Sequence, residues 1–215
     1  MKIENVLNAL RQNKMDAYYV DTKEEARALA LSLIPEGAVC ASGGSVTLTE
    51  TGILDAVKSG NYTYIDRYAP DLTEEERADA VARAHHADVY LMSSNAITEN
   101  GELYNVDGNS NRVSALVLGP KSVIVVAGVN KLVPTLDDAI LRVKTVAAPK
   151  NTVRLACATP CAKTGHCISL DTGHGTDMTK GCASPARICC NFVVSAQQRH
   201  QSRIKVILVG EALGY

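Results

Sequence analysis

The chain has 215 residues, with 22 Lys+Arg against 23 Asp+Glu and a formal net charge of −1. That length suits one sizeable α/β core, and the even charge balance leaves no basic field that could hold nucleic acid or an anionic membrane by counterion release. With 46% hydrophobic and 21% charged residues the composition excludes a disordered chain, and no apolar run approaches the roughly 20 residues of a membrane-spanning helix.

Met1 to Asn5 shows neither the apolar core of a signal peptide nor an Arg/Ser-rich transit composition, so the expected location is cytoplasmic, with the chain folding alone or as a homo-oligomer. The seven cysteines are an odd count and in that compartment are expected as thiols rather than as a disulfide framework. All but one of them lie between Cys157 and Cys190, a clustering that calls for its own explanation.

In chain order, Ile3, Val6, Leu7 and Leu10 recur at helical spacing and predict a helix ending near Asn13, followed by a short strand at Ala17 to Val20. Thr22 to Glu25 forms a capping box for a helix with Ala26, Leu29, Ala30, Leu33 and Ile34 on one face, stopped by Pro35 and Gly37. Ala38 to Ala41 is a strand running into Ser42-Gly43-Gly44-Ser45, and Thr47 to Glu50 reads as a second capping box opening a helix through Val57. A strand near Thr63 to Ile65, a third box at Thr73 to Glu76 with its helix, and a strand at Asp88 to Met92 follow. Strands alternating with helices demand crossover connections. The predicted fold class is therefore α/β, a mainly parallel sheet with helices on both faces.

Two turn signals interrupt the alternation. Asn100-Gly101 between Ile97-Thr98 and Leu103-Tyr104 predicts a hairpin, and Asp107 to Asn109 a loop before a helix starting about Asn111. A buried strand at Ser122 to Ala127 and a helix at Leu136 to Val146 come next. After Pro149 the periodicity fails until a late strand at Ile204 to Val209. The expectation is one domain, 1–215, carrying a loop-like cysteine-rich decoration at about 157–190.

Three stretches are candidates for chemistry. Ser42-Gly43-Gly44-Ser45 sits where a strand meets a helix N-terminus, the place where open α/β sheets take phosphate or carboxylate; the plainer alternative is a tight turn that needs glycine. It is not the G-x-G-x-x-G fingerprint, so no dinucleotide is specifically implied. Ser93 to Arg112 is densely polar between two core strands, which costs stability unless the groups pair with each other or with a ligand. There Glu99 is the candidate base or nucleophile, Arg112 the candidate for gripping an anion bidentately, and Asn95, Asn105 and Asp107 the residues that would orient both; a solvated, capped loop is the alternative. The cysteines Cys157, Cys161, Cys167, Cys182, Cys189 and Cys190 lack compact C-x2-C knuckles, which leaves open a zinc or iron–sulfur site, buried structural thiols or redox disulfide chemistry.

Ser42-Gly-Gly-Ser-Val-Thr-Leu-Thr-Glu50, Asn95-Ala-Ile-Thr-Glu-Asn-Gly101, Asn105-Val-Asp-Gly108, Asn111-Arg112, Gly119-Pro-Lys121 and Gly128-Val-Asn-Lys131 together resemble the LUD domain, the lactate-utilisation family with its LutC-like members. The resemblance runs from roughly Asn5 to Gly214. It implies a fold like that of ribose-5-phosphate isomerases and CoA transferases, and adds Thr47, Glu50, Gly108, Asn111 and Lys131 to the ligand-binding candidates. Short, cysteine-bearing members resemble this chain at Pro160-Cys161, Gly165-His-Cys167 and Cys182 to Cys189, which groups Cys161, Cys167, Cys182 and Cys189 as a metal set, although extra residues from about Ser169 to Lys180 separate its second and third members. The implied role is binding of a small anionic metabolite, phosphorylated, carboxylate or CoA-linked, in organic-acid utilisation. The alternatives are a metal-bearing accessory subunit acting beside iron–sulfur oxidoreductase subunits, and an isomerase or transferase of the sugar-phosphate type.

Overall fold

In the computed structural model, which describes residues 1–215, six strands form one sheet in the order β1 (Asp16–Val20), β10 (Ile204–Val209), β7 (Ser122–Gly128), β4 (Val89–Met92), β2 (Val39–Ser42) and β3 (Thr63–Ile65). Every pairing in it is parallel, as the alternation of strands and helices requires. The two-residue period of the central strand sorts its side chains to opposite faces. Val123, Val125 and Ala127 pack under α1 (Ile3–Gln12), α5 (Glu74–Ala84) and α6 (Asn111–Val117), while Ile124 and Val126 pack under α2 (Lys23–Ser32), α3 (Val46–Glu50) and α4 (Ile53–Ser59).

A second, four-stranded sheet has the order β8 (Leu132–Val133), β5 (Ala96–Thr98), β6 (Leu103–Asp107) and β9 (Asn191–Ser195). The Asn100-Gly101 turn joins β5 and β6 antiparallel as predicted, with Gly101 at φ +77°. This sheet rests on a smaller apolar cluster that includes Tyr104, Ile140 and Val143.

Three expectations need correction. The helix expected through Val57 is two helices, because Gly52 adopts φ +68° between α3 and α4, and its cap is Ser45, whose hydroxyl accepts the Leu48 N–H. Thr47, expected to cap, is instead fully buried. The helix expected to end at Val146 continues as α7 (Leu136–Arg142), a π-helical turn at Val143–Ala147 and α8 (Ala148–Arg154). Pro149 lacks the N–H a regular ladder would use, and the wider turn just before it absorbs the register change. Finally, the segment expected to be structureless contains α9 (Pro160–Thr164) and leads into β9; the signal was missed because β9 is a half-covered edge strand.

Chain direction across the large sheet reverses between two neighbours. From β2 the chain proceeds to the edge strand β3, and from β4 it proceeds the other way to β7 and then β10. Loops leaving the carboxyl ends of β2 and β4 therefore diverge and open a crevice, the place where open parallel sheets take ligands. The loop after β7 closes its floor. There Gly128 has ordinary backbone angles, yet a Cβ on it would stand 2.5 Å from the Asn130 Oδ1 and the Glu211 carbonyl and 2.6 Å from the Leu213 nitrogen. Gly128→Ala is expected to cost about 1–3 kcal/mol in urea unfolding through this overpacking. An unchanged midpoint would show that the C-terminal strap yields freely.

Candidate anion-binding cleft

The crevice encloses about 440 Å³, a volume that suits a small-molecule ligand. Gly44 and Ser45 follow β2, Ser93 to Asn95 follow β4, Lys131 follows β7, and Asp107, Gly108, Asn111 and Arg112 come from the β6–α6 junction. Tyr68, Arg154 and Tyr215 complete the rim.

Gly43 and Gly44 are there for space rather than for unusual backbone angles, since neither has positive φ. A Cβ on Gly43 would press to 3.0 Å on the Arg112 side chain, and one on Gly44 to 2.8 Å on the Tyr68 hydroxyl. The tight-turn explanation for these glycines therefore fails.

Arg112 occupies a different position from the one its sequence context suggests. Its Nε donates to Asp107 Oδ1 at 3.1 Å, one terminal nitrogen to the Ser93 carbonyl at 3.1 Å and to Asn105 Oδ1, and the other to Asn95 Oδ1 and the Val106 carbonyl, both at 3.0 Å. All five N–H directions are consumed by the protein. Arg112 cannot also grip a ligand bidentately, and its role is to lock the β4–β5 loop, β6 and α6 together. Asp107 Oδ2 accepts the Arg112 and Val113 N–H groups and so finishes the start of α6. The dense polarity of residues 93 to 112 is mostly this internal network.

Lys131 is the group left over. It is 2% exposed, donating to Thr47 Oγ1 at 2.8 Å and Ser93 Oγ at 2.9 Å, with no carboxylate in contact. Burial first, then the Arg142 and Arg112 charges, pull its ammonium down to about 7 against a weaker opposing pull from Glu50. A lysine poised near neutrality can donate or accept a proton, bind an anion, or serve as an amine nucleophile.

The surroundings reinforce the sign of the site. Six cationic side chains line the cleft, Arg67, Arg77, Arg112, Lys131, Arg154 and Arg187, against one carboxylate, Asp107, which Arg112 already pairs at 2.9 Å. Arg67 Nε is buried without any acceptor. Arg154 is held by Asn151 and Tyr215, and Arg187 by the Thr179, Cys182 and Cys189 carbonyls. Of the sequence-derived ligand residues, Gly44, Ser45, Asn95, Asp107, Gly108, Asn111, Arg112 and Lys131 line the cleft. Ser42, Gly43, Thr47 and Asn105 stand behind its wall, with Ser42 Oγ 2.7 Å from the Tyr64 hydroxyl. Glu50 accepts the Gly214 N–H at 2.6 Å and pins the C-terminal strap. Glu99 stands apart at the hairpin turn beside Asn5 of α1, which donates to it at 3.4 Å, so the cleft offers it no catalytic part. Arg67, Tyr68, Arg77, Arg154, Arg187 and Tyr215 were not foreseen, because they are brought in from scattered positions that carry no local motif.

Cys161, Cys167, Cys182 and Cys189 line a separate small cavity of about 30 Å³. Burial raises the Cys189 thiol to about 12, and each of the other three thiols adds to the rise. All seven cysteines are free, and no three donors are gathered tightly enough to hold a single metal ion. The four thus share one cavity, but without the close convergence a zinc site demands.

Fold and site together define a parallel α/β protein with a cationic cleft at the sheet's switch point. A crystal structure of a DUF162 family protein from Deinococcus radiodurans superposes with a TM-score of 0.52 at 15% identity, covering 97% of this chain and 96% of that one. Ribose 5-phosphate isomerase A from Methanocaldococcus jannaschii overlaps less, with a TM-score of 0.36 at 14% identity over 62% of this chain and 64% of its own. The eIF2B delta structure from Chaetomium thermophilum gives 0.33 at 20% identity over 61% and 52%. No curated protein sequence matches the chain. The LUD-domain family profile matches residues 3–209, and the chain belongs to that family.

Proposed function

We propose that this LUD-domain protein binds a small organic acid or its phosphorylated or CoA-linked form in the switch-point cleft and acts in organic-acid utilisation of the lactate type. The observation that carries the reading is Lys131, a buried ammonium with no carboxylate partner in a cleft whose single carboxylate is already spent. Burying a cation is costly unless something compensates it. The unpartnered Nε of Arg67 supports the same conclusion, since a buried guanidinium nitrogen without an acceptor is a place for an acceptor to arrive.

Calorimetric titration with inorganic phosphate, L-lactate and phosphorylated hydroxy acids tests the proposal. Saturable binding is expected for the anions and none for lactamide, which has lactate's shape without its charge. Arg154→Ala, at the rim, should weaken the best anion about tenfold, the loss of one partly solvated charge contact. If no anion binds saturably, or lactamide binds as well as lactate, the cleft is not an anion site.

A further inference from the structure

We infer that Lys131 is a nucleophile whose amine condenses with the carbonyl carbon of an acidic carbonyl compound, one carrying a carboxylate or a phosphate, to form an imine in the cleft, an assignment that rests on anion binding there. Lys131 and Ser93 line the cleft and Thr47 stands behind its wall. The amine is thus held between a hydroxyl on the cleft side and one on the core side, at 2.9 and 2.8 Å.

A lysine attacks a carbonyl only through its unprotonated amine, and desolvation or a neighbouring cation is what frees that form. Lys131 has both. It is 2% exposed, and the charged groups bearing on it are Arg142 of α7, Arg112 of α6 and, with the opposite sign, Glu50 of α3. Arg142 is fixed next to it, its Nε donating to the Asn130 carbonyl at 3.0 Å, and Arg112 is locked in its own network. Glu50 is engaged with the Gly214 N–H. With its ammonium pulled down to about 7, roughly half of Lys131 is neutral at pH 7, against about one in 3,000 for an ordinary lysine. Lys144 makes the contrast. It too is buried, but it donates to the His174 and Asp177 carbonyls at 2.7 and 2.8 Å and lines no part of the cleft.

The two hydroxyls suit the proton transfers that follow. Thr47 Oγ1 donates to the Leu213 carbonyl at 3.3 Å, which leaves its lone pairs for the amine. The Ser93 hydroxyl has only a 3.5 Å contact with the Ser94 carbonyl, so it is free to carry a proton between nitrogen and oxygen. The nitrogen lone pair forms the C–N bond as the carbonyl π bond breaks, and one proton passes from nitrogen to oxygen to give the carbinolamine. The C–O bond then breaks, the hydroxyl leaves as water with the second nitrogen proton, and the C=N bond forms. Amine and carbonyl become imine and water, with no oxidant or reductant.

The acid group has cations other than Lys131 to meet. Gly44 leaves space in front of Tyr68 and Arg154, since a Cβ on it would stand 2.8 Å from the Tyr68 hydroxyl and 3.9 Å from an Arg154 terminal nitrogen. The Arg67 guanidinium lies 4.4 Å over the Tyr68 ring, and its Nε lacks any acceptor. Both guanidiniums line the cleft together with Lys131. The C-terminal strap shields the amine, for a Cβ on Gly214 would stand 2.6 Å from Thr47 Oγ1 and 3.4 Å from Lys131 Nζ. Restricted access of water slows hydrolysis of an imine formed there.

Reductive trapping on the full chain is the test. Pyruvate, whose carboxylate adjoins the carbonyl, and glycolaldehyde phosphate, whose phosphate lies further from it, are each incubated with the protein, quenched with borohydride over time, and the adduct located by peptide mass mapping. Labelling of Lys131 is expected with at least one of the two, and the faster names the acid group. At pH 7 Lys131 should outpace every surface lysine and Lys144 by at least about tenfold, and lose most of that lead at pH 9, where ordinary amines begin to deprotonate as well. Acetone, a carbonyl without the acid group, should label Lys131 at least about tenfold more slowly. Arg154→Ala should raise the half-saturating concentration of the acidic probe without lowering the limiting rate. Because the label is mapped on the wild-type chain, the result does not hang on whether Lys131→Met folds. No adduct on Lys131 while lactate still binds in the calorimeter overturns the imine and leaves the anion site standing. Acetone labelling Lys131 as fast as the acidic probes, with no saturable anion binding, overturns the substrate class together with the anion reading.

Discussion

Replacing Arg112 by alanine is expected to destabilise the protein by about 3–5 kcal/mol, the cost of leaving a buried charge and its hydrogen-bond partners uncompensated. Arg112 is 9% exposed, and removing it strands the Asp107 carboxylate, the Asn95 and Asn105 amide oxygens and two carbonyls together. For a chain of this size such a loss lowers the melting temperature by roughly 10 °C. Arg112→Lys should recover only part of it, because an ammonium keeps the charge but cannot serve acceptors placed around a planar fork. Calorimetric melting of the three proteins measures this directly. A melting temperature within 2 °C of wild type, by about the shift that 1 kcal/mol produces, would mean that the network is dispensable and that Arg112 is free to serve a ligand. The same reasoning makes Arg112→Ala a poor probe of catalysis, since it tests the fold.

Lys131→Met should have the opposite effect on stability, together with loss of anion binding. In the folded chain burial pulls the lysine down to about 7 from its ordinary 10.5. Between those values the unfolded chain holds a proton that the folded chain lacks, so the stability contributed by this group rises with pH across that window. Below about 7 both states are charged and the folded state bears the whole cost of burial. Methionine carries no such cost. The variant is therefore expected to exceed the wild type most at pH 6, with the gap shrinking by about 1.4 kcal/mol per pH unit between roughly 7 and 10. Urea unfolding of both proteins at pH 6, 8 and 9.5 tests it, and parallel pH profiles would show that Lys131 is not titrating in the fold. An anion beside Lys131 favours its protonated form. Binding at pH 8 should therefore take up protons, seen as a dependence of the apparent enthalpy on the buffer, and Lys131→Met should lose that dependence with the binding.

The position of the buried Lys131 ammonium follows from topology. Lys131 stands at the carboxyl end of β7, immediately beside the switch between β2 and β4. Thr47, in α3 after β2, and Ser93, in the loop after β4, hold its amine in place from either side of that switch. The C-terminal strap completes the enclosure, with Leu213 bonded to Asn130 and Tyr215 to Arg154 across the cleft.

Local chemistry alone determined much of this protein. The capping boxes at Thr22 and Thr73 are present as read, since each satisfies orphan amides within four residues of chain. The Asn100-Gly101 hairpin and the buried run of β7 likewise rest on short-range turn chemistry and periodicity. Of the residues in the motifs that resemble the LUD domain, Gly44, Ser45, Asn95, Asp107 and Lys131 line the cleft. Tertiary structure decided how those residues divide their labour. Glu99 and Arg112 lie 13 positions apart in one polar stretch, and nothing in that stretch tells which of them stands nearer the cleft. The sheet sends Glu99 to the hairpin beside α1 and folds Arg112 into a network that uses all its donors. Lys131 became the conspicuous group only when strands distant in sequence closed around it, because burial without a counter-charge is a property of packing and has no sequence signature. The same holds for Arg67, Arg154 and Arg187, which converge from three separate segments to give a chain of nearly neutral net charge one strongly cationic cleft.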